Sequence, residues 1–185
     1  MEDKLLPVQV LHGFVDKLEA LQIDYMLSGS MAMMLYSVYR FTADIDIVVD
    51  LTERDSTKLI NFLEPDYYVP HNAVKQAVMS RSMFNIIDQK TAFKIDCVMT
   101  KPGRFQRIAF GRRKPADFLG KEVFVITAED LVLSKLLWAK DSHSEKQLTD
   151  VKNLLRNQMD ADYIEKWVVE LGLSGLLNEA KAKNE

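Results

Sequence analysis

The stretch that decides the fold runs from residue 29 to residue 46 and reads GSMAMMLYSVYRFTADID. It opens with a Gly-Ser turn, continues through a short apolar segment and ends in two aspartates. From Asp44 to Val49 the β-branched residues at positions 45, 47 and 49 alternate with the acids, which is the periodicity of a strand. Asp44 and Asp46 are therefore predicted to lie on the same face of that strand.

The two aspartates and the turn suggest complementary halves of one site. Two neighbouring carboxylates repel each other unless a cation lies between them, and oxygen ligands at this spacing suit Mg²⁺ or Mn²⁺. Gly29 lets the backbone approach a ligand closely, and the helix start at Ser30 offers N–H groups to an anion. Such a pairing is typical of nucleotidyl or phosphoryl transfer. The alternative is that Ser30 is only a helix N-cap and that the acids merely solvate an exposed strand.

The order of these features resembles a known signature. A Gly-Ser turn followed by Arg-x-Thr-x-Asp-Ile-Asp at residues 40–46 is similar to the pattern of the nucleotidyltransferase (polymerase-β-like) superfamily. Within it, the AbiEii-like and minimal bacterial nucleotidyltransferases are the nearest. The resemblance implies an α/β (α+β) fold, in which helices flank a small mixed sheet and a C-terminal helical portion follows. It also implies transfer of a nucleoside monophosphate from a nucleoside triphosphate such as ATP to an acceptor hydroxyl, with Mg²⁺ or Mn²⁺ as cofactor.

The resemblance assigns a third carboxylate to the metal site. Asp44 and Asp46 would hold the metal, and Asp96, on a second alternating strand, would complete the site and assist removal of the acceptor proton. This requires the strand of Asp96 to run beside that of Asp46. The alternative for Asp96 is a solvated strand residue paired with Lys94 or Lys90.

Two residues of the C-terminal helices complete the candidate site. Lys135 lies in an apolar helix, and in AbiEii-like proteins a lysine at the matching position is functional. Its ammonium would neutralise triphosphate charge, unless it is a lysine that extends to the surface. Asp150 would support Lys135 or the nucleotide, or simply pair with Lys146 along its helix. The predicted nucleotide-binding residues are Gly29, Ser30, Arg40, Thr42, Lys135 and Asp150, and for Arg40 the choice between contacting the nucleotide and bracing the Gly-Ser loop stays open.

Composition and periodicity place these residues in one structural unit. The chain has 185 residues, with an α/β core expected over 1–126 and a helical portion packed on it over 127–185. Cys97 is the single cysteine, which excludes an intrachain disulfide and suggests simple packing. Periodicity predicts strands at 24–28, 44–50, 83–87, 92–99 and 121–126, and helices at 4–21, 31–36, 52–62, 70–80, 128–140, 144–157, 160–171 and 173–183.

The acceptor is the part of the reaction that the sequence leaves open. With 24 basic and 27 acidic residues the net charge is −3, which argues against a dedicated nucleic-acid binder. The segment 101–114, called here the basic strip, nevertheless carries two phenylalanines among its basic residues, Lys101, Arg104, Arg107, Arg112, Arg113 and Lys114. It is either a contact for an RNA acceptor such as tRNA or a solvated loop.

The remaining expectations concern partners and location. The AbiEii resemblance suggests an RNA-modifying toxin with an antitoxin partner, whereas other relatives modify antibiotics or similar small molecules. A non-catalytic nucleotide-binding module is a third possibility, which the retention of all three carboxylates disfavours. No secretory leader or membrane span is evident, so a cytoplasmic protein is expected.

Overall fold

The structure, a computed structural model, describes residues 2–37 and 44–182, with side chains from residue 6 onward. Its helices are α1 (Glu2–Ala20), α2 (Gly29–Met33), α3 (Glu53–Leu63), α4 (His71–Ser80), α5 (Arg104–Gly111), α6 (Ala128–Ser142), α7 (Glu145–Leu154), α8 (Ala161–Glu170) and α9 (Ser174–Ala182). Its strands are β1 (Tyr25–Leu27), β2 (Asp44–Val49), β3 (Tyr67–Tyr68), β4 (Met83–Asp88), β5 (Lys94–Met99), β6 (Lys114–Asp117) and β7 (Glu122–Val125).

The strands form one mixed sheet in the order β3-β4-β5-β2-β1-β7-β6. The β2–β5 and β1–β7 pairs are parallel, and the other neighbouring pairs are antiparallel. The predicted α/β class, with a mixed sheet flanked by helices and followed by a helical portion, is confirmed. Cys97 is fully buried, in agreement with a packing role.

The alternation in β2 decides which of its faces is buried. Ile45, Ile47 and Val49 have no exposed surface, while Asp44 and Asp46 point to the opposite, partly open face. The strand thus divides its side chains as its sequence predicts. The apolar side holds the strand in the core, and this fixes the direction of the two acids.

The helix after β2 begins where its sequence predicts. The Thr52 hydroxyl accepts a hydrogen bond from the Asp55 N–H at 3.2 Å, and the Asp55 carboxylate accepts one from the Thr52 N–H at 3.2 Å. This is the reciprocal capping box, with aspartate in the place of the usual glutamate.

The C-terminal helices pack around α6, which is apolar on most of its circumference. Leu131, Val132, Leu133 and Leu136 are all buried, and α6 contacts α2, α7, α8 and α9. The contact with α2 brings the helical portion against the segment that carries Gly29 and Ser30. The division of the chain at residue 126 stays a prediction.

Four elements, α2, β3, α5 and β6, depart from the predicted ones. Helix α2 begins at Gly29, two residues before the predicted start, and a two-residue strand, β3, forms the edge beside β4. The basic strip is not a loop, because α5 and the start of β6 occupy it. In α5 the buried Phe105, Ala109 and Phe110 have helical spacing, which the intervening basic residues obscure. The proline in β6 is tolerated because that strand forms the other edge of the sheet.

Among the described residues, no helix combines the length and the apolar character needed to cross a membrane.

Candidate active site

The register of two parallel strands brings the three predicted carboxylates to one face of the sheet. Asp46 lies opposite Asp96, and Asp44 lies opposite Lys94. Neighbouring strands are about 4.8 Å apart, so directly opposed side chains on one face are close neighbours. The two acidic strands are therefore neighbours, as the assignment of Asp96 to the site requires. Asp96 is 8% exposed, whereas the side chain of Asp44 is 48% exposed.

The Gly-Ser turn packs directly against Asp46. Gly29 has a φ of +61°, and a Cβ atom placed on it would lie 1.9 Å from Oδ2 of Asp46. Any side chain at position 29 would thus displace the carboxylate, in addition to straining the backbone. The backbone N–H of Ser30 donates a hydrogen bond to the Asp46 side chain, and that of Ser28 donates to the Asp46 carbonyl oxygen at 2.9 Å. The turn therefore positions Asp46, and its contact with a phosphate stays a prediction.

The carboxylate of Asp46 lies in a crowded negative environment. Burial and the charges of Asp96 and Asp44 raise its pKa above the ordinary aspartate value, while Lys135 and the Ser30 N–H oppose the shift. The influence of Lys135 on Asp46 links α6 to the carboxylate face. A cation at this position would relieve the repulsion that raises the pKa.

Lys94, the first residue of β5, adds a positive charge to this face of the sheet. Its Nζ atom lies 3.2 Å from Oδ1 of Asp44 and 3.0 Å from Oδ2 of Asp96. The pairing of Asp96 with Lys94, one of the two interpretations of the sequence, is present. The other oxygen of Asp96, Oδ1, is buried and has no hydrogen-bond partner among the described residues.

The carboxylates have the right chemistry for a divalent metal, but among the described residues their arrangement does not form a closed set of ligands. Within residues 2–37 and 44–182, no three acidic, histidine or cysteine side chains converge closely enough to hold a metal ion. Hard oxygen donors are nevertheless what Mg²⁺ and Mn²⁺ prefer. The buried, unpartnered Oδ1 of Asp96 is a ligand atom in need of a partner. The oxygen donors therefore fit the chemistry of such a metal, and a metal site at these carboxylates stays a prediction.

Lys135 and Asp150 form a buried ion pair beside this face. The Lys135 Nζ atom donates to Oδ2 of Asp150 at 2.7 Å and to Oε1 of Gln147 at 3.1 Å. Lys135 is 4% exposed and Asp150 is 3% exposed, so Lys135 does not extend to the surface. Asp150 is thus the hydrogen-bonded partner of Lys135, and its role in the reaction stays a prediction. A direct contact of either residue with a nucleotide stays a prediction.

Two predicted residues cannot be compared with the structure, and two residues of the site were not predicted from the sequence. Arg40 and Thr42 lie outside the described residues, so their predicted roles stay predictions. Gln147 was not predicted, although it lies three residues before Asp150 and so on the same face of α7. The bridging position of Lys94 depends on strand register and has no signature in the sequence.

The site face of the sheet continues from the carboxylates onto β4. Asn85 lies opposite Asp96, and Met83 and Ile87, which flank it on the same face, are 43% and 37% exposed. These three side chains, called here the β4 shelf, give an open, mainly apolar surface directly beside the acids. No charged side chain interrupts the shelf itself.

Arg104 and Arg113 of the basic strip are paired with carboxylates of other elements. Arg104 donates to both oxygens of Glu170, at 2.7 and 2.8 Å, and Arg113 donates to Asp24 at 2.6 Å. The two phenylalanines are buried, with exposures of 3% and 9%, and belong to the core. The strip therefore lacks exposed aromatic side chains for stacking on bases, and two of its arginines hold separate elements together.

Arg112, also in the basic strip, contacts two residues of the C-terminal helices, Asp130 and Tyr163. Its Nε donates to Oδ2 of Asp130 at 3.0 Å, and its guanidinium lies 4.0 Å from the ring centroid of Tyr163. Asp130 is completely buried and also accepts hydrogen bonds from Thr127 and Tyr163. Arg112 is thus the cationic partner of a buried carboxylate.

Arg112→Ala is expected to lower the free energy of unfolding by about 2 kcal/mol, because it leaves the buried Asp130 charge without its cation. Arg107→Ala is the matched control in the same helix, since Arg107 is exposed, and it should change stability by less than about 0.5 kcal/mol. Urea denaturation of both variants measures the difference. Equal, small effects would mean that Arg112 is free for an external ligand.

Comparison with known proteins identifies the fold. No protein-family model matches the sequence, and no curated protein sequence matches it. Solved structures do match. An antigenic nucleotidyltransferase-like protein from Paracoccidioides brasiliensis is 22% identical, with a TM-score of 0.55 over 80% of this chain and 72% of that one. The antibiotic-resistance factor ANT(2″)-Ia is 12% identical, with a TM-score of 0.59 over 97% and 98% of the two chains.

The chain has a nucleotidyltransferase fold. The lincosamide antibiotic adenylyltransferase LnuA, solved with lincomycin bound, shares this fold at 18% identity, with a TM-score of 0.51 over 78% of this chain and 93% of that one. The predicted nucleotidyltransferase fold is thereby confirmed. The closer resemblance to AbiEii-like proteins is not confirmed.

Proposed function

We propose that this chain is a metal-dependent nucleotidyltransferase that transfers a nucleoside monophosphate from a nucleoside triphosphate to a hydroxyl group of a small molecule, releasing pyrophosphate. The observation that carries the proposal is the register that sets Asp46 opposite Asp96 on the open face of the sheet, with Asp44 beside them and the Gly-Ser turn against Asp46. The nucleotidyltransferase fold supports it independently.

Each residue has a role that follows from its position. Asp44, Asp46 and Asp96 would hold Mg²⁺ or Mn²⁺, which when bound neutralises the triphosphate and withdraws electron density from the reacting phosphorus. Gly29 and Ser30 keep the Asp46 carboxylate in place against the sheet.

Asp96 would receive the proton of the acceptor hydroxyl. Its oxygen Oδ1 has no hydrogen-bond partner among the described residues, and Asp96 lies beside the open β4 shelf, from which an acceptor could approach. As the hydroxyl oxygen bonds to the α-phosphorus, the bond from that phosphorus to the pyrophosphate breaks, and the proton passes to the carboxylate. Lys135 sets a positive charge behind the carboxylates, held there by Asp150 and Gln147.

Three observations favour a small, cationic acceptor over RNA. The surface beside the site is apolar at Met83 and Ile87 and acidic at Asp44, which suits an amphipathic molecule with a positive charge. The arginines at positions 104, 112 and 113 of the basic strip are engaged with carboxylates. Among the structures that share the fold, ANT(2″)-Ia was solved in complex with adenylyl-2″-tobramycin, and LnuA with lincomycin.

An RNA acceptor is the second candidate, because Lys101, Arg107 and Lys114 of the basic strip are exposed. Three exposed cations could bind phosphates. The toxin role, with an antitoxin partner, would accompany this candidate.

The two candidates differ in which molecule becomes labelled. We expect incubation with each α-³²P-labelled nucleoside triphosphate and Mg²⁺ to label aminoglycosides or lincosamides, as measured by thin-layer chromatography, and to leave tRNA and total RNA unlabelled on gels. Arg107→Ala together with Lys114→Ala should not change the rate with a small acceptor. Labelled RNA, with a rate that falls in this double variant and declines steeply with salt, would instead establish the RNA acceptor.

A further inference from the structure

Lys94 occupies the point between two carboxylates of the candidate site. It lies on the same face of β5 as Asp96, two residues away, and register places it opposite Asp44 on β2. Its ammonium contacts both acids, at 3.0 and 3.2 Å. The strand register sets Lys94 beside Asp44, and the alternation of side chains along β5 sets it beside Asp96.

An ammonium in this position and a divalent metal compete for the same carboxylates. Lys94 binds Oδ2 of Asp96 and Oδ1 of Asp44, and both residues belong to the proposed metal site. A second charge of the same sign cannot share these ligands without strong repulsion. The competition can be relieved, since the side chain of Lys94 is 39% exposed and its four-carbon stem can turn toward solvent.

The oxygen that Lys94 leaves unused points to a second occupant. Oδ1 of Asp96 is buried and has no hydrogen-bond partner among the described residues, and the whole residue is only 8% exposed. A buried carboxylate oxygen without a partner is unfavourable, and a ligand in the site would satisfy it. The ammonium therefore completes the site only in part.

We propose that Lys94 is an internal cation that keeps free divalent metal out of the carboxylate site, so that the metal enters together with the nucleoside triphosphate. The inference rests on the proposed function. The triphosphate supplies additional oxygens for the metal and adds negative charge to which the displaced ammonium can turn. Metal and nucleotide thus bind as a unit, and the site is protected from charge repulsion while it is empty of substrate.

Mn²⁺ binding measured by electron paramagnetic resonance tests this, with and without a non-hydrolysable ATP analogue. Without the analogue, Lys94→Met should bind Mn²⁺ roughly tenfold more tightly than the wild type. Lys94→Gln repeats the change with a polar side chain, and Lys94→Arg, which keeps the charge, should resemble the wild type. Lys121→Met is the matched control, because Lys121 also bridges two carboxylates, Asp16 at 2.6 Å and Glu19 at 3.6 Å, away from the site.

The outcomes separate this inference from the function on which it rests. Tighter binding of free Mn²⁺ in both neutral Lys94 variants, with no change in Lys121→Met, supports it. If wild type binds Mn²⁺ only with the analogue and neither neutral variant binds free Mn²⁺ more tightly, the role of Lys94 is wrong and the metal site stands. If no chain binds Mn²⁺ even with the analogue, the metal site fails and the inference fails with it. Thermal melts confirm that each variant is folded.

Discussion

Lys135→Ala is expected to lower the free energy of unfolding by about 3–5 kcal/mol, because it removes the cation that is hydrogen-bonded to the buried Asp150 carboxylate. The two side chains are 5% and 4% exposed, and their charged atoms are 2.7 Å apart. Water cannot compensate the remaining carboxylate at this depth. Chemical denaturation of wild type and variant measures the loss.

A double variant separates the charge from the packing. Lys135→Met combined with Asp150→Leu removes both charges while keeping apolar volume, and it should recover most of the lost stability. Lys146→Ala is the control on the same helix as Asp150, since Lys146 is exposed and should change stability by less than about 0.5 kcal/mol. If Lys135→Ala were as stable as the control, the Lys135–Asp150 ion pair would not contribute to stability as proposed.

The double variant also tests what Lys135 does in the reaction. If its ammonium acts on the carboxylate site, the folded double variant should transfer nucleotide about a hundredfold more slowly than the wild type. A folded double variant with normal turnover would restrict Lys135 to a structural role. The three carboxylates would keep their assignments in that case.

Asp46→Asn is expected to raise stability while it removes activity. In the folded protein the Asp46 carboxylate is disfavoured by burial and by its two acidic neighbours, whereas an amide of the same shape keeps an oxygen for the Ser30 N–H. The variant should be more stable than wild type by about 1 kcal/mol at neutral pH without metal. Urea denaturation at several pH values measures this difference.

The pH dependence of that gain has a definite sign. The folded-state pKa of Asp46 lies above its unfolded value, so the folded protein holds this proton more tightly. The contribution of Asp46 to wild-type stability therefore falls as the pH rises from the ordinary aspartate value, about 3.9, through the raised pKa. The advantage of Asp46→Asn should be near zero at lower pH and constant above the raised pKa. An advantage that does not change with pH would contradict the raised pKa of Asp46, which burial and the charges of Asp96 and Asp44 cause.

The sequence predicts the parts of this molecule that depend on local pattern. The alternation in β2 predicts both the buried isoleucines and the shared face of Asp44 and Asp46, and the Thr52 capping box marks the start of α3. The neighbouring position of Asp96 follows from its alternating strand once the fold is recognised. These features are set by residues close together in the chain.

The contacts between distant elements could not be predicted in the same way. Lys135 and Asp150 are 15 residues apart on two helices, and only the packing of α6 on α7 shows that the lysine is buried. Lys94 bridges two acids because the register of β5 against β2 aligns it with Asp44. Arg112 reaches a buried carboxylate 18 residues away. In each case a charged residue has an internal partner that composition cannot reveal.

Transfer of an α-³²P-labelled nucleoside monophosphate, compared between wild type and Asp46→Asn with and without excess EDTA, tests the carboxylate site most directly. Wild type should release pyrophosphate and label an acceptor only with Mg²⁺ or Mn²⁺ present. Asp46→Asn, although at least as stable, should be slower by about a thousandfold or more. The variant lacks the carboxylate charge that would hold the metal, and with it about 4 kcal/mol of transition-state stabilisation. Lys121→Met, far from the site, should retain normal activity. Transfer that persists in EDTA, or that is equal in wild type and Asp46→Asn, would contradict a metal-dependent nucleotidyltransferase built on these carboxylates.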